Sequence, residues 1–155
     1  MKNVRVAFEV YEESIDDLPS GYQEVDCHMI FDIKMDENFR RKARMVAGGY
    51  QTTSPTTLTY SSVVSRDSVR IALTFAALNG LQVLALDIQN TYLTTLYREK
   101  IWTTTGPEFR LDAGKNMLVV QVLYGLKSAE AAFRAFLAET LYDLGYKPSE
   151  ADPDV

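Results

Sequence analysis

The run Ser68–Ile88, SVRIALTFAALNGLQVLALDI, carries two charged side chains, Arg70 and Asp87. So apolar a stretch has to be covered, and it limits the fold more than any other part of the chain. Apolar residues fall nearly all round a helical period at Val69, Ile71, Ala72, Leu73, Phe75, Ala76 and Leu78. That pattern predicts a buried helix, with Ser65 or Asp67 as its cap and Gly80 as its stop. LQVLALDI (81–88) then reads as a short apolar strand of the kind found inside a sheet. It ends in a carboxylate, Asp87. From spacing alone, Asp87 either caps the turn after the strand or serves as a ligand.

The flanking segments supply the partners such a core needs. NVRVAFEV (3–10) alternates as a strand, with Val4, Val6 and Phe8 on one face. VDCHMIFDIK (25–34) and FRRKARMVA (39–47) read as two strands of a hairpin whose turn is MDEN (35–38). EESIDDLPSGYQ (12–23) and GGYQTTSPTTLTY (48–60) read as loops. EKIWTTT (99–105) and NMLVVQVL (116–123) are further strands, with a loop between them. YGLKS (124–128) is a turn into a last helix over about 129–144. Ala132, Phe133, Phe136, Leu137, Leu141 and Leu144 line one stripe of it, and Gly145 stops it. GYKPSEADPDV (145–155) starts as though entering another strand. The sum is a mixed α/β (α+β) sheet with helices on one face, divided into 1–23, 24–60 and 61–155.

With 155 residues and 46% hydrophobic content the chain can bury one ordinary core. No apolar run is long enough to span a bilayer, and no signal-like segment opens the chain. No membrane partner is expected, and the expected location is cytoplasmic. The lone Cys27 excludes a disulfide framework, and with His28 as the single histidine a zinc site lacks ligands. The formal charge of −5 argues against general nucleic-acid affinity. It is unevenly spread, however: YEESIDDL (11–18) and SEADPDV (149–155) are acidic, while FRRKAR (39–44) is basic and acts locally.

Three blocks carry a family resemblance. RKARMVAGGY (41–50), LDIQNTYL (86–93) and LYGLKSAEAAFRAFLAETLYDLGYKPSEADP (123–153) resemble, in collinear order, blocks of the reverse transcriptases of Ty1/copia-type LTR retrotransposons. EKIW (99–102) and GPEF (106–109) resemble two shorter ones. The resemblance covers about residues 24–153. It implies the fingers and partial palm of a right-hand polymerase, an RNA-directed DNA polymerase and so a nucleotidyltransferase. Residues 24–60 would be the fingers hairpin and its loop, and 61–155 the partial palm.

The resemblance also implies roles. Asp87 resembles the first catalytic aspartate of the palm, a ligand for Mg²⁺ in two-metal nucleotidyl transfer. Tyr92 resembles the bulky aromatic that excludes a ribose 2′-hydroxyl; read without the family it is a core aromatic. Lys42 and Arg44 resemble the hairpin cations that reach the incoming triphosphate, or else form a solvated hairpin edge. Gly125 and Lys127 resemble the loop near template and incoming base, or form a plain turn. Thr91, Ser128 and Glu130 depart from the family pattern around the nucleotide pocket.

The partners implied are an RNA or DNA template–primer and a deoxynucleoside triphosphate. The family's other two catalytic aspartates lie beyond the segment matched by SEADP, so the expectation is a fragment inactive by itself. The alternative is a non-catalytic nucleic-acid- or protein-binding module. A third alternative is a fragment with no activity that relies on another chain to cover its open sheet edge, since exposed edges invite self-association.

Overall fold

A computed structural model describes residues 2–35, 38–55 and 58–155. The expected turn at 35–38 and the loop at 48–60 each include positions outside those residues. Two sheets form the β structure. The larger has the order β1 (Phe8–Val10), β6 (Asn116–Val119), β5 (Ile101–Thr104) and β2 (Gln23–Glu24). β6 runs antiparallel to β1 and β5, whereas β2 runs parallel to β5, so the sheet is mixed. Burial alternates along β5 and β6: Ile101, Thr103, Met117 and Val119 face inward. The smaller sheet is the hairpin of β3 (Cys27–Ile33) and β4 (Arg41–Ala47).

The core lies where the larger sheet meets the hairpin root and the start of the last helix. Ala7, Phe8, Val25, Met45, Ala47, Ile101, Met117 and Leu123 are buried there with Ala129. Phe8 and Phe109 meet edge to face at 5.1 Å, a geometry that suits the ring quadrupoles. The hairpin root is tied down by Gln51, whose side chain accepts from the Asp26 amide at 2.8 Å and donates to its carboxylate at 2.6 Å.

The mixed α/β class stands, with corrections inside it. The N-terminal strand is shorter than expected: Lys2–Arg5 forms a helical turn, α1, and the strand begins at Phe8. The helix α2 (Arg66–Leu78) forms with the cap expected, Ser65 accepting from the Ser68 amide at 2.9 Å. It is not buried. Ala76 is its one buried residue, while Ile71 stands 69% and Phe75 60% exposed. LQVLALDI is not a strand either, since a strand needs a neighbour and these residues find none. Among the described residues the backbone groups of 82–87 enter no hydrogen bond. The chain end forms turns rather than a strand. α3 (Ala129–Asp143) packs at its N-terminal half; Phe136, Leu141 and Leu144, part of the expected stripe, are exposed.

Candidate functional site

The hairpin register decides which basic side chains act together. Ile30 pairs with Arg44 and Asp32 with Lys42, so Lys42 and Arg44 share one face of β4. The strand borders a cleft of about 540 Å³. Lys34 and residues 40–45 form one wall, and residues 87–91 with Leu93, Leu123 and Tyr124 form the other. Among the described residues Asp87 is the single carboxylate in the lining, which also holds the cations Lys34, Arg40, Arg41, Lys42 and Arg44. Positions more than forty residues apart in sequence therefore meet in one electropositive cavity.

The segment after Asp87 turns sharply. Asn90 adopts a left-handed conformation (φ 54°, ψ 36°), which asparagine tolerates, and starts a short turn of helix at Thr91–Thr94. Thr91 thereby enters the cleft lining, its hydroxyl donating to the Ile88 carbonyl at 2.7 Å. Tyr92 points elsewhere. Its ring stacks edge to face on Tyr124 at 4.6 Å and on Phe133 at 6.2 Å. Burial, followed by the nearby Glu130 carboxylate, raises its phenol above the ordinary tyrosine range. Tyr124 stands between Tyr92 and the hairpin, with the Arg44 guanidinium 5.8 Å from its ring centroid.

Gly125 and Lys127 sit where the hairpin root meets the turn into α3. Gly125 adopts φ +89°, and a Cβ there would lie 2.2 Å from the Ala47 carbonyl oxygen. The neighbouring backbone closes the joint, the Ala47 amide donating to the Tyr124 carbonyl at 2.8 Å. The Lys127 ammonium donates to the Thr52 carbonyl at 2.5 Å. Of the six residues singled out by sequence, three line the cleft (Lys42, Arg44 and Asp87); Tyr92 backs its wall, and Gly125 and Lys127 pack against the root of the hairpin and the segment after it.

Sequence reasoning missed Tyr124 as a cleft wall, although it lies within the quoted LYGLK. It also missed a partner for Ser128. The buried Ser128 hydroxyl donates to the Glu99 carboxylate at 2.5 Å, and Tyr97 donates to the other oxygen at 3.0 Å. Burial pushes the Tyr97 phenol well above its ordinary range. No local pattern joins positions 29 residues apart.

Residues 8–154 match the family model described as reverse transcriptase (RNA-dependent DNA polymerase). The chain is similar to the Retrovirus-related Pol polyprotein from transposon TNT 1-94 of Nicotiana tabacum, with 29% identity over 147 residues. That match covers 90% of this chain and 11% of the relative. The corresponding polyprotein from transposon RE1 of Arabidopsis thaliana is 30% identical over 142 residues, 86% of this chain and 10% of the relative. The chain thus spans about a tenth of the length of these curated relatives. No solved structure matches it.

Proposed function

This chain belongs to the reverse transcriptase family as a fragment of the Pol polyprotein kind, and on that premise we propose that its basic cleft is a nucleotide-facing surface. In this reading Lys42 and Arg44 receive the triphosphate of an incoming deoxynucleotide aligned on a template–primer. One observation carries the reading: the hairpin register and the turn after Asp87 bring these cations and that carboxylate into a single cavity. Guanidinium and ammonium groups are the natural partners of phosphate oxygens. Tyr124 holds the Arg44 head group over the cleft wall.

Reverse transcriptases in general use a divalent metal. The donors in this cleft do not complete such a site. Among the described residues Asp87 is its one carboxylate, and no group of three His, Cys, Asp or Glu could hold an ion. A pair of ions needs more oxygen ligands than one side chain supplies. The contribution of residues 1–155 is therefore binding and orientation: cations for phosphate, an aromatic wall, and one acidic side chain. We do not assign these residues polymerisation by themselves.

The test is a titration of labelled template–primer and of a deoxynucleoside triphosphate at low and high salt. Binding weakens as salt rises, and replacing Lys42 or Arg44 by alanine lowers the slope by about one counterion each. Asp87→Asn removes a negative charge from the lining, so metal-free triphosphate binding tightens. Binding that is absent, or indifferent to salt, sinks this reading. The exposed faces of α2 and of residues 81–88 favour a second reading, a module that associates with polypeptide.

A further inference from the structure

Ser128 stands at the cap of α3, where a serine ordinarily accepts from an amide of the first helical turn. This one makes no such bond. It is buried, and its hydroxyl donates instead to the Glu99 carboxylate at 2.5 Å. The Tyr97 hydroxyl donates to the other carboxylate oxygen at 3.0 Å and lies 3.4 Å from that of Ser128. Three side chains thus close a triangle just before β5. Neither Glu99 nor Ser128 is among the described residues that line the basic cleft.

The triangle reaches the cleft through the turn 124–128, which Tyr124 begins and Ser128 ends. Between them Leu126 is buried, and Gly125 lies so close to the Ala47 carbonyl that no Cβ fits. The Lys127 ammonium donates to the Thr52 carbonyl at 2.5 Å. So closely packed a turn shifts as a unit. At its start the Tyr124 carbonyl accepts from the Ala47 amide at 2.8 Å. The Tyr124 ring meets the Arg44 guanidinium at 5.8 Å and the Tyr92 ring at 4.6 Å.

We propose that Glu99 is a positioning residue for the cleft: by holding the Ser128 hydroxyl it fixes the turn 124–128, and with it the aromatic wall against which Arg44 rests. The consequence for phosphate rests on the reading of the cleft given above; the consequence for the turn does not. Without the carboxylate, the buried Ser128 hydroxyl loses its acceptor and must move to find another. Two effects then oppose each other. Loss of a negative charge favours a bound anion, whereas a misplaced Arg44 disfavours it.

Glu99→Ala, Ser128→Ala and Glu99→Gln separate the two. Metal-free deoxynucleoside triphosphate binds about 3- to 30-fold more weakly to both alanine variants, with the salt slope unchanged because no cation is lost. Glutamine keeps an acceptor for Ser128 and a donor for the Tyr97 oxygen, so Glu99→Gln binds within about 2-fold of wild type. Ser128→Ala, which removes a single oxygen, serves if Glu99→Ala does not fold. Hydrogen exchange reads the turn without ligand. In both alanine variants the Ala47 amide gains more in rate than those of Met117–Val119, and in Glu99→Gln it does not; global destabilisation would speed all of them equally. Triphosphate binding that holds or tightens in Glu99→Ala overturns the proposal, as does an Ala47 amide that gains no more than β6. A wild-type chain that binds no triphosphate sinks the reading of the cleft, and exchange at Ala47 then decides the role of Glu99.

Discussion

A Cβ at Gly125 would meet the Ala47 carbonyl oxygen at 2.2 Å and the Val46 side chain at 2.8 Å, from a backbone at φ +89°. Gly145 adopts a similar φ of +91°, with nothing within 4 Å of the same added atom. The pair separates backbone strain from close approach. Gly145→Ala carries only the strain of a left-handed alanine, about 1 kcal/mol. Gly125→Ala adds a clash against backbone that cannot swing away, and loses about 2–4 kcal/mol in urea unfolding. Equal losses at the two sites would show that the hairpin root gives way freely. Cys27 offers a second test at this scale. Burial pushes its thiol up to about 11, so it stays protonated at neutral pH. Alkylation by iodoacetamide at pH 8 is slow in the native protein and becomes rapid in denaturant; rapid native labelling would contradict the burial.

At the scale of elements, the chain end acts as a clamp between the two long helices. The Asp152 carboxylate accepts from the Ser68 hydroxyl at 2.5 Å and the Ser65 amide at 3.2 Å, at the start of α2. Asp154 accepts from Arg134 of α3 at 2.6 Å. Both carboxyls are held below the ordinary aspartate range, Asp152 chiefly by Ser68 and Asp154 chiefly by Ser62, then Arg134. A carboxyl depressed in the folded state adds stability above its unfolded value and loses it as pH falls through the folded one. The double variant Asp152→Asn/Asp154→Asn therefore melts below wild type at pH 7, and the gap narrows as pH falls below the ordinary aspartate range and through the depressed folded values. Solvent exposure keeps the gap modest; one that widens in acid would reverse the assignment.

This clamp was not legible in the sequence, because SEADPDV shows no periodicity and its partners lie 20 to 87 residues away. The hairpin was legible, since alternation and a charged turn are local signals, and so were Ser65 as cap and Gly145 as stop. Which face of β4 carries Lys42 and Arg44 required the strand register. Residues 81–88 show the opposite failure: the apolar pattern marks strand propensity, but a strand exists only where a neighbour completes its hydrogen bonds.

For the whole molecule, the buried core and the uncovered surface lie in different parts of the chain. The core gathers β1, β5, β6, the hairpin root and the start of α3, whereas α2 and the run to Leu86 add almost nothing to it. Local stability should divide the same way, because protection of a backbone amide follows burial and hydrogen bonding. Amides of Met117–Val119 and Met45–Ala47 exchange through near-global opening. Those of 82–87, unpaired within one chain, exchange almost freely in dilute solution. Hydrogen exchange read by mass spectrometry measures that contrast, and protection at 82–87 equal to that of β6 would overturn the division between a buried core and an uncovered run.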